Sequence, residues 1–314
     1  MSSYYARPLN DQVRVDLFLE KCLGLQGDHL HSHQRLPIST VSKKIRDAES
    51  ALVATDDEPT LTSKNNRVHG YRDDAQRKGL RQEVLKELIT CDRLDDDDLI
   101  KLGSGGAKPQ GIEPVAGRQA YLIIGLPASG KSSIVARTAD KLGAIIIDSD
   151  FAKRKLPEYD GSAAGAKLVH EESTEIVLGG GTAPSLLGYC KTTGINVVIP
   201  KVGHDHGGII ALRDSLAEAG YQVHLTSTLL LRKESTLRAM DRFLATGRYV
   251  SLGLIFDGYA NDPVMNYYRL KMEDAQQPGK WASFGAVNTS ERAHAAIDYS
   301  SEENPAYLLT EDRK

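Results

Sequence analysis

The segment Gly125-Leu-Pro-Ala-Ser-Gly130-Lys131-Ser132 follows the G-x-x-x-x-G-K-[ST] pattern. In that pattern the glycines let successive backbone N–H groups turn inward as a nest for phosphate oxygens, and the helix that follows adds its positive end. Gly125, Pro127, Ala128, Ser129, Gly130, Lys131, Ser132 and Ser133 are therefore the expected ATP-binding residues. Lys131 would bridge the β- and γ-phosphates, and Ser132 would supply an oxygen to Mg²⁺. A little downstream, AIIIDSD ends an apolar run on Asp148 and Asp150. Phosphoryl transfer to an alcohol needs one carboxylate to accept the hydroxyl proton, and a second can hold the metal or its waters. Asp150 takes the first role and Asp148 the second, although the same pair could instead cap a helix that starts near Phe151.

Further along, LRKESTLRAMDRFLATGRYV brings Arg238, Arg242 and Arg248 into one amphipathic stretch, with Gly247 free to turn. Guanidinium groups over a γ-phosphate neutralise transition-state charge and exclude water. The alternative is an ordinary basic helix paired with Glu234 and Asp241. Lys201 and His204, in Ile199-Pro-Lys-Val-Gly-His-Asp205, could meet an anionic acceptor; equally they could belong to a Pro-Gly loop with a surface lysine. His170-Glu-Glu-Ser-Thr174 lacks the second histidine of a zinc helix.

These residues need a scaffold. Apolar runs AYLIIG, AIIIDSD, INVVIP and YQVHLTSTLLL alternate with amphipathic segments after SSIV and near 164–178, 208–219 and 233–245. Short continuous strands separated by helices predict an α/β fold, a doubly wound parallel sheet covered on both faces, with the phosphate loop at a strand's carboxyl end where ligands bind. Helical spacing recurs at 10–25, 42–53 and 73–90, so residues 1–101 read as a small N-terminal helical module, partly mobile across the polar stretch 26–72. Asp95 to Asp98 read as a solvated helix start, and the Gly- and Pro-rich 102–118 as a linker ahead of a catalytic domain at 119–314.

The runs GLPASGKSS, IIIDSDFAKRKLPEY and RAMDRFLATGRYV together resemble the zeta-toxin family of small-molecule kinases, over about residues 119–299. The resemblance implies a P-loop NTPase-type core related to adenylate kinase, with ATP and Mg²⁺ as cofactors and the 3′-hydroxyl of UDP-N-acetylglucosamine as first-choice acceptor. It matches Lys131 and Ser132 to the phosphate loop, Asp150 to the catalytic base, and Lys153, Pro157 and Tyr159 to the tail that follows. Arg242 and Arg248 match the arginines over the ATP phosphates, with Arg238 as a substitute, and VHEESTEIV falls in the acceptor-binding stretch, which nominates Glu172 and Ser173. Where many members carry Glu-Gly-Thr after the third strand, this chain has Pro200 to Asp205, which puts the acceptor in question. NAD or a related dinucleotide, phosphorylated on a 3′-hydroxyl as in effector kinases, is the second reading. A non-catalytic ATP-binding switch is the third, disfavoured because no separate apolar strand ends in Asp.

Composition narrows the partners. A net charge of −3 and a pI near 6.3 argue against affinity built on nucleic-acid phosphates and favour a small nucleotide metabolite. Three scattered cysteines suggest neither disulfides nor zinc, and no apolar run is long enough to span a membrane. The expected location is the cytoplasm, with secretion as an effector left open. A toxic kinase needs restraint, from a separate antitoxin or in cis from the N-terminal module.

Overall fold

The computed structural model describes residues 8–25, 36–54, 58–159, 162–181, 183–291 and 294–310. Its centre is a sheet in the order β2-β3-β1-β4-β5-β6, made of β1 (Gln119–Ile124), β2 (Ile145–Ile146), β3 (Val197–Lys201), β4 (Gln222–Leu229), β5 (Ser283–Asn288) and β6 (Ala295–Tyr299). β1 pairs in parallel with β3 on one side and β4 on the other, β2 and β5 extend the parallel set, and β6 closes the edge antiparallel to β5. Leu122, Ile123 and Ile124 are fully buried, as the unbroken apolar run requires of a strand covered on both faces. The strand order reverses at β1, so its carboxyl end opens into the crevice where open α/β sheets take ligands.

Eleven α-helices complete the described chain: α1 (Gln12–Leu17), α2 (Ile38–Ala54), α3 (Asp74–Thr90), α4 (Lys131–Leu142), α5 (Ser149–Lys155), α6 (Ala163–Leu168), α7 (His170–Leu178), α8 (Leu186–Thr193), α9 (His206–Glu218), α10 (Arg232–Thr246) and α11 (Asp262–Gln276). The single helix expected at 164–178 is two, parted at Val169, where ψ moves to 1°. The parallel sheet is as the apolar runs suggested, apart from its antiparallel edge strand β6. Strands β5 and β6 and helices α8 and α11 have no counterpart in that reading, because SFGAVN carries Ser, Gly and Asn through a run of only six residues.

The division at residue 101 does not follow the cores. Leu80, Val84 and Leu88 of α3 belong to the same buried cluster as β1, whereas Val15 of α1, Phe18 just after it, and Val41 and Ile45 of α2 pack with Met240 and Leu252 from α10 and beyond. Nor is 102–118 a linker. Ala107 is fully buried, accepting the Ile146 N–H at 2.9 Å and donating to Leu88, and Val115 bonds both Gly143 and Asn196. Residues 26–35 and 55–57, in the stretch expected to be mobile, lie outside the described residues.

Glu172 joins these parts, which corrects its nomination as an acceptor contact. Its side chain is fully buried and accepts from Arg77, from Arg81 at 2.6 Å and from Thr60 at 2.5 Å, while Arg77 also grips Glu158 at 2.8 Å. Ser173 is likewise buried and donates to the His170 carbonyl one turn back. Neither lines the cavity above the phosphate loop. Removing one partner of a buried ion pair strands the other charge, so Glu172→Gln should destabilise the fold by about 3 kcal/mol, read from the denaturant midpoint. Burial alone would raise this carboxyl's pKa, but hydrogen bonds from Arg77 and Thr60 bring it below the ordinary value. The ion pair's contribution is thus complete above the unfolded-state pKa and is lost as pH falls through the folded one.

Candidate active site

The turn from β1 into α4 is shaped by steric necessity. A Cβ on Gly125 would stand 1.9 Å from the Thr228 hydroxyl of β4, and Gly130, at φ +82°, has the His294 ring where a side chain would go. Ser129 is buried, its hydroxyl 2.7 Å from that of Thr228, so it braces the loop rather than reaching a ligand with its side chain. Ser133 bonds the Gly130 carbonyl and lies 3.2 Å from His294, and Ser132 stands exposed at the start of α4. The Lys131 amine folds back onto the carbonyls of Gly125 and Leu126, 2.6 Å from each.

Above this loop lies a cavity of about 280 Å³ whose polar lining includes Lys131, Asp148, Asp150, Lys201, Arg242 and Arg248. The segments that the sequence nominated for phosphate binding, base and phosphate-facing arginines therefore border one space, Arg238 excepted. Burial, opposed by Asp148 and helped by Arg242, pushes the Lys131 pKa down to about 7. Such an amine gains its proton when phosphate enters. At pH 8, ATP binding should therefore take up protons, so that its calorimetric heat varies with the buffer's ionisation enthalpy; Lys131→Ala should abolish that variation along with most of the affinity.

Asp148 caps α5, accepting the Asp150 N–H at 2.9 Å, so the capping alternative holds for it. One of its carboxylate oxygens is thereby engaged; the residue still lines the cavity with Ser132, and the pair fits an oxygen-seeking Mg²⁺ that keeps several waters. Burial and the neighbouring Asp150 charge raise the Asp148 pKa to about 6, a shift that a bound cation would reverse. Among the described residues, here or elsewhere, no three His, Cys, Asp or Glu side chains gather as a ready-made metal cage.

Asp150 is held at 2.9 Å by Lys153 and at 2.6 Å by Arg248. Burial acts to raise its pKa, but Lys153 and Arg248 overcome it and hold the carboxyl well below the usual range. A carboxylate so clamped is a weak base until one cation leaves. Arg242 differs, because its buried Nε has no hydrogen-bond partner. A buried unpaired donor is costly, and in this cavity an incoming phosphate oxygen would satisfy it. Arg238 stands apart, donating to the Ser290 carbonyl at 2.8 Å. His204 also turns away, packing on Tyr259 with ring centres 4.7 Å apart, so of the two expected contacts in that segment Lys201 alone lines the cavity, beside Pro200 and Val202.

Several residues escaped the sequence reading. Arg93, Asp97 and Arg154 line the cavity, and His170 feels the charges of Lys153, Asp150 and Lys201. Arg93 and Asp97 lie in no motif, while Arg154 and His170 sit inside runs already quoted, where nothing set them apart; the periodicity of α3 placed the helix before Arg93 but not its turn toward the site.

The Zeta toxin family profile matches residues 107–261, from the β2-bonding Ala107 through the phosphate loop and both lid arginines. The chain carries a zeta-toxin domain. That makes it a phosphotransferase of the P-loop kinase class. Among solved structures, the PezAT chromosomal toxin–antitoxin system of Streptococcus pneumoniae is 14% identical, with 76% of this chain and 86% of that one covered and a TM-score of 0.51. It shares the fold of the zeta-toxin domain. The AvrRxo1-ORF1:-ORF2 complex in its native form is 16% identical over 79% of this chain and 74% of that one, with a TM-score of 0.47. The same complex with ATP is 15% identical over 93% and 80%, also at 0.47. Among curated proteins, none matches the chain. Arg93 and Asp97 precede the matched zeta-toxin residues, so the family profile does not account for them.

Proposed function

We propose that the chain transfers the γ-phosphoryl group of ATP to a sugar hydroxyl of a nucleotide metabolite, with the 3′-hydroxyl of UDP-N-acetylglucosamine as first choice. The observation that carries this is Asp150 facing a phosphate loop across a cavity in which Arg242 keeps an unpaired buried nitrogen. The loop amides and Lys131 bind the β- and γ-phosphates, and Ser132 and Asp148 would hold Mg²⁺, which would supply charge neutralisation there. Arg242 and Arg248 turn to the transferring group. As Arg248 leaves Asp150, the base loses a clamping charge and its affinity for a proton rises. Asp150 then takes the acceptor's hydroxyl proton while that oxygen bonds the γ-phosphorus and the bond from phosphorus to the bridging oxygen breaks, releasing ADP.

The acceptor side carries the amines of Lys153 and Lys201, with His170 kept neutral by burial near both, which suits a pyrophosphate-bearing metabolite. With Glu172 and Ser173 turned inward, the acceptor contacts differ from those first expected, and that favours keeping NAD as a second reading. Incubation with Mg²⁺-ATP and each metabolite separately, followed by weighing the products, tells them apart. A phosphate gained by UDP-N-acetylglucosamine supports the first reading, one gained by NAD the second, and gain by neither rejects both. A separate antitoxin is a further proposal, supported by the fold shared with PezAT, and co-purification with a neighbouring small protein would test it.

A further inference from the structure

The acidic run before residue 100 does start a helical turn, with Asp95, Asp96 and Asp98 exposed as expected, but it also reaches partners across the fold. Asp96 accepts the Asp98 N–H at 2.9 Å and begins a single 3₁₀ turn, Asp97–Leu99, whose outgoing residue Ile100 is buried. That turn reaches the mouth of the phosphate cavity. One carboxylate oxygen of Asp98 lies 3.1 Å from Arg154 and 3.2 Å from Arg248. Arg154 is almost wholly buried, and its other terminal nitrogen donates to the backbone carbonyl of Asp150 at 3.1 Å. Arg248 in turn uses its second terminal nitrogen on the Asp150 carboxylate. A single side chain thus ties the helix bearing the base to the loop bearing the arginine. The turn is anchored as well, since the buried Lys155 amine bonds Glu87 at 2.6 Å and the carbonyls of Lys101 and Ser104.

Arg248 needs such a tie. It follows Gly247, which ends α10 at φ +79°, and the chain from Arg248 to Val250 has no helix or strand to hold it. A long side chain on that backbone must be ordered before it can meet a phosphoryl group, and the cost of ordering falls when one end is already fixed.

We propose that Asp98 is a positioning residue. It holds one nitrogen of Arg248 through the bracket on Arg154, so that the guanidinium stays over the site when its other nitrogen exchanges Asp150 for the transferring phosphoryl group. This rests on the kinase reading of the cavity. It also gives the N-terminal segment a part in catalysis, opposite in sign to restraint.

The test uses the full chain with Mg²⁺-ATP and the acceptor that gains phosphate. Asp98→Asn should lower kcat by about 10- to 100-fold, the scale of a misplaced catalytic group, with KM for ATP changed by less than about threefold; the amide oxygen can still accept from the buried Arg154, so the chain should stay folded, which thermal melting checks. Asp98→Glu should recover part of kcat. In an Arg248→Ala background, assayed at high enzyme concentration, Asp98→Asn should add less than about a twofold further loss, because residues acting through one another are not additive. Unchanged turnover in Asp98→Asn, or a full additional loss in the double variant, overturns the proposal. Faster turnover also overturns it and makes the turn an inhibitor. A wild-type chain that transfers no phosphate removes the kinase reading and this proposal together, so the wild-type control separates the two failures.

Discussion

Arg248→Ala should lower turnover by about 10³- to 10⁵-fold while the protein stays folded. The rate effect is the worth of a guanidinium on a transferring phosphoryl group; the stability effect is that of a partly exposed ion pair, below about 1 kcal/mol. The side chain keeps 23% of its accessible surface and grips only carboxylates, so little packing is lost. Removing it also takes a clamping cation from Asp150, which by itself would make the base stronger. The sign of the measured effect therefore decides between the roles: a dead enzyme means that phosphate contact dominates, and a faster one means that the resting ion pair with Asp150 was restraining the base. Single-turnover rates at saturating ATP, with folding checked by thermal melting, give the answer.

Asp150→Asn keeps the shape of the side chain and removes the proton acceptor. Turnover should fall by about 10²- to 10⁴-fold, the usual contribution of a positioned base. ATP affinity should hold or rise, because the variant loses a negative charge from a cavity built for phosphates. Asp148→Asn should instead move the Mg²⁺ dependence, since its remaining carboxylate oxygen is the one available to a cation. Equal losses of ATP affinity in the two variants would contradict this division of labour.

What was legible in the sequence was local. The phosphate loop and the pair Asp148 and Asp150 are each contiguous, and their chemistry depends on backbone turns a few residues long. The central strands were readable because burial on both faces leaves an unbroken apolar run such as AYLII. Glu172 was misjudged because its partners Arg77 and Arg81 lie 95 and 91 residues away, and a buried carboxylate in HEEST looks like a polar one facing a ligand. Asp98 was missed for the same reason, being 150 residues from Arg248. The linker reading of 102–118 failed because glycine and proline mark a chain that makes close turns against a surface as readily as one in solvent. Ala107, hydrogen-bonded to Ile146 of β2, is the case in point.

The central claim is that ATP is spent on a metabolite's hydroxyl and not on a conformational switch or on water. The most direct measurement is the ratio of ADP formed to phosphorylated metabolite recovered, taken over the same time course with purified chain, Mg²⁺-ATP and the acceptor. The account predicts one to one, with both products absent in Asp150→Asn. ADP accumulating with free phosphate and no phosphorylated metabolite, or ATP bound and never consumed, would contradict it.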